Sequence, residues 1–462
     1  MYLSRLTGPA SAAPYNRGMA HPPAPVPGTA SVVTERTLDN GLTVLVQEVR
    51  TAPLVSVWCW YPVGSGDEVA GQTGISHFVE HMNFKGTAGI PPDEIKGLVE
   101  RYGGYWNGYT WVDQTAYTET APRERLDHLL FIEAERMARG LYEPAACESE
   151  RTVIIAELEG GENDPDELLE RDLAATAFDV HPYRNPTIGW IDDLRAMTRD
   201  DLYAHYRRHY VPSNATLVVV GDVATSDVLR AAETRFGAIP AGERRVRTRP
   251  SEPAQTAERR VVVRREGTTG YVKLGYRAPA VHEADFVPLL LADAILTGAK
   301  GLNIWAGADA PVPQRRARLY RALVDGGLAA EVEGEMAPTR DPFLYTISLT
   351  PTEETRLDVL EDAVLVAVAR FVADGPTPDE VQRAARQMRA QLVFETDRVS
   401  SIAHQLGFYQ NLGDWRLLPE VVARIDTVTA AQVAEVAARR LAPANRTVGW
   451  FDPLPGAGAA RA

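Results

Sequence analysis

The chain has 462 residues, of which 45% are hydrophobic and 24% charged, and a formal net charge of −14. That length suits two or three domains with ordinary cores, and the acidic balance argues against a phosphate backbone as partner, so no nucleic acid is expected. Only two cysteines occur, Cys59 and Cys147, too few for a disulfide framework, which points to a reducing, cytoplasmic setting.

Residues 1–30 are rich in Ala and Pro and lack the apolar run of a secretory signal, so they read as a disordered tail. No stretch is long and apolar enough to span a membrane. The ordered chain begins with a hairpin. Leu38 leads into Asp39-Asn40-Gly41, and LTVLVQEV then alternates as a strand. Leu54–Tyr61 (LVSVWCWY) is a second, more apolar strand. Helical patterns come next at 76–84, 93–102, 123–141 and 148–160. Between the second and third, YWNGYTWVDQTAYTET is rich in aromatics and Thr and reads as paired strands.

The segment 239–259 is polar, Pro-bearing and aperiodic. It sets a linker at 241–258 between a domain at 31–240 and another at 259–455. A second series of strands and helices succeeds it, from VVVRREGTTGYVKLGYRA through DFVPLLLADAIL to LAAEVEGE and FLYTISLT. An internal repeat links the two halves. At a constant offset of 231, Thr198 matches Thr429, Arg208 matches Arg439 and Pro212 matches Pro443. Asn214 likewise matches Asn445, and Thr216 matches Thr447. Each copy reads as helix, Pro-Xaa-Asn turn, strand, which implies duplication of one unit.

The pattern richest in chemistry is HFVEH. On a helix, Ile75, Phe78, Val79 and Met82 form an apolar stripe toward the core. His77, Glu80 and His81 fall on the opposite face, where imidazoles at i and i+4 can share one ion. Neutral imidazole suits zinc, and a catalytic zinc takes three protein ligands and leaves one position for water. Glu80 lies beside that position and is a candidate general base. Farther on, Glu150, Val153, Ile154 and Glu157 fall on one helical stripe, putting two carboxylates among large apolar residues. Glu157 is the candidate third ligand. Glu150 either holds an imidazole N–H or pairs with an arginine such as Arg151 or Arg136.

With these residues in view, the sequence resembles the M16 (pitrilysin-like, inverzincin) metallopeptidases, subfamily B. HFVEH matches the family signature HxxEH, and MNFKGT resembles the family's sequence just after that signature. ERTVIIAELEG resembles the downstream glutamate segment, with 76 residues from His81 to Glu157. ERYGGYWNGYTWVDQTAYTE and HPYRNPTIGW extend the likeness, which covers about residues 30–455. The resemblance implies an α+β fold of two homologous domains, each an antiparallel sheet packed with helices. It implies Zn2+ held by His77, His81 and Glu157, with Glu80 as base and Glu150 as supporting acid. It also implies that the strand Asn107-Gly108-Tyr109-Thr110 receives an unfolded peptide by strand addition. Without the resemblance, WNGYTW would read as an ordinary core strand.

The second half departs from an active pattern. FVPLLLADAIL, aligned with the motif helix, is apolar, so one zinc site per chain is expected. Active relatives carry Arg and Tyr near a segment like LRExxGLAY. Here RLYRALVDGGLAAEVEGE has Ala330 in the tyrosine's place and Leu323 or Val324 in the arginine's. This resembles the zinc-bearing subunit of heterodimeric members, in which a homologous partner supplies the pair; a homodimer is the alternative. The segment 297–312 resembles the glycine-rich loop of partner-type subunits, or is a plain connector. The expectation is therefore a zinc endopeptidase of unfolded peptides. The alternatives are a non-catalytic, core-like structural subunit and a dedicated peptide-maturation peptidase.

Overall fold

The computed structural model describes residues 32–92, 94–303 and 314–455. The tail at 1–30 and residues 304–312 of the glycine-bearing loop lie outside the described residues. Two mixed sheets packed with helices form the α+β fold, one sheet in each half. The first sheet is built from β1 (Thr34–Thr37), β2 (Thr43–Glu48), β3 (Leu54–Tyr61), β4 (Tyr105–Thr110), β5 (Thr115–Pro122) and β6 (Thr216–Gly221). Their order is β1-β2-β6-β3-β5-β4, which leaves β4 at an edge. The second is built from β7 (Arg259–Val263), β8 (Tyr271–Arg277), β9 (Ala329–Met336), β10 (Leu344–Pro351) and β11 (Arg446–Phe451). Its order is β7-β11-β8-β10-β9.

The expected hairpin joins β1 to β2, and Gly41 turns it at a φ of +88°, where a side chain would be strained. Both sheets are antiparallel except for one pair each, β2 with β6 and β7 with β11. The exception has a topological cause. Each repeat strand arrives by a long crossover, and such a connection can lay a strand parallel to the first long strand of its half.

The repeat is visible atom by atom. Thr198 caps the helix Arg199–His209, and Thr429 caps Ala430–Arg440, each through a capping box with the residue three positions on. After each helix, the Pro-Xaa-Asn turn is a 3-10 turn. Asn214 Nδ2 donates to the His209 carbonyl at 2.9 Å, and Asn445 Nδ2 donates to the Arg440 carbonyl at 2.7 Å. These bonds satisfy helix-end carbonyls that would otherwise be orphaned.

The halves exchange helices. Val399–Leu412, from the second half, lies on β3 and β6 of the first sheet. Pro165–Ala177, from the first half, lies on β7, β8 and β11 of the second. Strand β3 is thereby buried on both faces. Trp58 and Trp60 face the exchanged helix, while Val57, Cys59 and Tyr61 join the core under the motif helix. Burial on both sides explains its nearly unbroken apolar run.

Candidate functional site

The motif helix is Ile75–Met82, and its apolar stripe Ile75, Phe78, Val79 and Met82 is buried as expected. The downstream helix is longer than the pattern suggested, Pro144–Gly161. Its inward residues are Cys147, Glu150, Ile154 and Leu158. Val153, expected on the inward stripe, is 47% exposed. The cause is a rotation of the packed face. Cys147 and Leu158 draw the helix inward on their own line, which leaves Glu157 at the rim with its side chain 37% exposed.

The two helices bring the candidate donors together. The His77 and His81 rings lie 4.6 Å apart, centroid to centroid. His81 Nε2 lies 3.7 Å from Glu157 Oε2. One donor atom from each of His77, His81 and Glu157 lies within 4.8 Å of the others. Among the described residues this is the one group of three His, Cys, Asp or Glu side chains so placed. Two ligands of one tetrahedral zinc stand about 3.4 Å apart, so the Nε2–Oε2 separation fits an ion between them. The chemistry fits as well, two imidazoles and one carboxylate being a zinc donor set.

Glu150 sits behind this group. Its Oε1 is 3.0 Å from His81 Nδ1, and its Oε2 is 2.5 Å from Lys85 Nζ. Neither candidate arginine takes that place. Arg151 pairs with Glu148, and Arg136 with Glu119 and Glu133. Burial alone would raise the Glu150 carboxyl, but its bonds to His81 and Lys85 outweigh this and lower it. Burial, aided by the His81 charge, pushes His77 down to about 3 and keeps that ring neutral. Burial would also lower His81, yet the Glu150 bond and the charges of Glu80 and Glu157 raise it instead.

Glu80 occupies the same face, pressed against the edge strand. Burial pushes its carboxyl up to about 7, opposed by His81 and by Thr110. The Thr110 hydroxyl donates to Glu80 Oε2 at 3.2 Å. A Cβ at Gly108 would lie 3.0 Å from Glu80 Oε1, so the glycine makes room for the carboxylate. The other two residues of the quartet are placed differently. Asn107 Oδ1 accepts the Gly108 N–H at 2.9 Å and its Nδ2 donates to the Tyr105 hydroxyl at 2.9 Å. The Tyr109 hydroxyl meets His404 Nε2 at 2.8 Å, between the halves and away from the imidazole pair. Alternation along a strand forces this split of Gly108 and Thr110 from Asn107 and Tyr109.

Sequence reasoning missed the residues that fix the motif helix in place. Glu68 accepts the Gly74 and Ser76 N–H groups. Thr73 donates to Asp193, and a Cβ at Gly74 would lie 2.3 Å from the Ile188 carbonyl oxygen. Ile188 belongs to HPYRNPTIGW, whose composition carries no sign of this packing role. Behind the helix, Arg136 stacks over the Tyr117 and Phe84 rings and is buried with Glu119 and Glu133. In the second half Leu323 is buried and Ala330 is exposed on β9.

The model of the insulinase family (peptidase family M16) matches residues 43–190, and that of the peptidase M16 inactive domain matches residues 196–388. The mitochondrial-processing peptidase subunit beta of Blastocladiella emersonii is 26% identical over 402 residues, which covers 87% of this chain and 84% of its own length. The zinc protease PqqE of Helicobacter pylori is 26% identical over 423 residues, covering 90% of this chain and 92% of its own. A solved protease structure from Helicobacter pylori superposes with a TM-score of 0.84 at 25% identity, covering 92% of this chain and 100% of that one.

Proposed function

Because this chain belongs to the M16 peptidase family, we propose that it is a zinc-dependent endopeptidase of unfolded peptides. The observation that carries the reading is the meeting of His77, His81 and Glu157 beside the Glu80 carboxyl. Those three side chains would hold the metal. A bound Zn2+ supplies Lewis acidity there, lowering the pKa of water to about 7 and polarising a carbonyl oxygen.

The chain's own groups do the rest. Glu80 takes a proton from the attacking water at a carboxylate oxygen and delivers it to the departing amine nitrogen. Gly108 and Thr110 keep that carboxylate against the strand. Glu150 accepts the His81 Nδ1–H, which fixes the tautomer and aims the Nε2 lone pair at the metal position. Lys85 offsets the charge of Glu150. The peptide pairs with the open edge of β4, using main-chain groups of residues 107–110. Pairing through the main chain leaves side-chain selectivity to the pockets around the strand.

Ala330 and the Leu323-Val324 pair cannot donate to an oxyanion, which favours a homologous partner chain that supplies Arg and Tyr. Relatives named as beta subunits of a processing peptidase support that arrangement; a second copy of this chain is the alternative. The same gap is the one observation that favours a non-catalytic structural subunit, and the complete donor set weighs against it.

A Glu80→Gln variant separates the roles. Zinc content by metal analysis should match the wild type, while cleavage of a quenched peptide in the presence of the partner chain should fall by about 10²–10⁴-fold or more. Turnover retained in E80Q removes Glu80 as the base. A wild-type chain that holds no zinc sinks the reading as a whole.

A further inference from the structure

The motif helix begins without a capping side chain of its own. Its N-cap is Gly74, at a φ of +86°, so the first N–H groups need acceptors from elsewhere. Glu68 supplies them with both oxygens. Its Oε2 accepts the Gly74 N–H at 2.7 Å, and its Oε1 accepts the Ser76 N–H at 2.8 Å. The residue is only 8% exposed, so bulk water does not take over these bonds. A carboxylate at a helix N-terminus also meets the positive end of the helix dipole.

The grip lies next to the first imidazole. Ser76 immediately precedes His77, so a held N–H is one peptide bond from a candidate ligand. The ground around Glu68 is fixed too. Asp67 Oδ2 accepts the Gly64 N–H at 3.2 Å and the Arg249 Nη2–H at 3.1 Å. On the other flank, Thr73 donates its N–H and its hydroxyl to Asp193 Oδ2, at 3.0 and 2.6 Å.

We infer that Glu68 is a positioning residue for the metal: its two-oxygen grip fixes the backbone from which His77 projects and so sets zinc affinity. This inference rests on the metal reading above. Its chemistry is specific to a carboxylate. Glutamine offers one oxygen and one NH2 group, so one of the two helix N–H groups would face another donor. Aspartate keeps both oxygens but is shorter by a methylene and cannot reach both N–H groups without moving the chain.

The test is the zinc dissociation constant, measured by competition with a chromophoric chelator for the wild type, Glu68→Gln and Glu68→Asp. Melting of each metal-free protein is recorded alongside. E68Q should bind zinc about 10–100-fold more weakly than the wild type, as for other residues that orient metal ligands, and E68D should fall between them. A variant that melts earlier without metal, yet binds zinc as tightly as the wild type, overturns the inference and leaves Glu68 a stability residue. Should E68Q not fold, E68D decides alone by the same criterion. A wild-type chain that takes up no zinc overturns the metal reading, and this inference with it.

Discussion

Gly108 is the position where one added methyl group would disturb the site most directly. A Cβ there would lie 2.9 Å from Phe84 Cζ and 3.0 Å from Glu80 Oε1. Neither neighbour gives way without cost. Phe84 is packed against Trp106 and Tyr117, and Glu80 is tied to Thr110. Gly108→Ala should therefore push the carboxylate off its line to the water. A displacement near 1 Å costs about 10²-fold in rate, so kcat should fall about 10–100-fold with zinc content unchanged. Zinc loss in parallel with rate would show instead that the methyl group had disturbed His77 and His81. At this scale the sequence is legible where chemistry depends on local spacing. His77, Glu80 and His81 share a face because 3.6 residues make a turn, and no tertiary contact can alter that. Glu68 was illegible for the converse reason. It caps a helix from across a loop, and loop caps have no fixed spacing. Val153 marks the middle case: periodicity selects a stripe, but Cys147 and Leu158 decided which stripe turns inward.

At the scale of elements, the exchanged helices hold the molecule together. Gly407, on Val399–Leu412, rests on Trp60 so closely that an added Cβ would lie 1.9 Å from the indole Nε1. The indole cannot swing away, because Trp58 stacks on it at 5.4 Å and Tyr109 meets its edge at 6.0 Å. Gly407→Ala should destabilise the fold by about 1–3 kcal/mol through overpacking, read as an earlier urea midpoint. The unfolding should remain a single transition, because the helix belongs to one half and its seat to the other. Two separated transitions would show that the halves fold independently and that the seat is not shared. The strands β2 and β3, the paired β4 and β5, and the repeated helix–turn–strand units were all readable, since each carries its own alternation or turn chemistry. The exchange was not. An amphipathic pattern shows that a helix has a buried face, but nothing local says which sheet receives it. The parallel pairs β2–β6 and β7–β11 escaped for the same reason, being fixed by connections over long stretches of chain.

For the molecule as a whole, the aperiodic linker proves to be a tie. Arg249 is buried and donates to Asp67 Oδ2 at 3.1 Å, Asp113 Oδ1 at 2.7 Å and Asp341 Oδ2 at 2.7 Å. Asp67 stands before the motif helix, Asp113 in the turn just after β4, and Asp341 in the turn between β9 and β10 of the other half. Arg340 N–H donates to Asp113 Oδ2 at 2.9 Å, and His181 Nε2 lies 3.5 Å from Asp341 Oδ2. One guanidinium thus binds the motif-helix end of the first half to the second. Removing it leaves Asp67 and Asp113 with Arg247 alone, at 3.7 and 3.8 Å, and Asp341 with His181, so Arg249→Ala should lose up to about 3–5 kcal/mol at pH 7. The loss should depend on pH, and its sign comes from Asp341. Burial would raise that carboxyl, yet His181 and Arg249 outweigh burial and hold it well below the usual carboxylate range. A carboxyl lowered on folding stabilises above its unfolded pKa, about 3.9 for Asp, and the gain disappears as pH falls through the folded value. The gap between wild type and R249A should therefore be widest near neutrality and narrow below about pH 4, where the unfolded-state Asp begins to take up protons. Urea midpoints at neutral and acid pH measure it. A gap that stays constant or widens on acidification would mean that Arg249 acts through packing alone, and that the tie between the halves is not electrostatic.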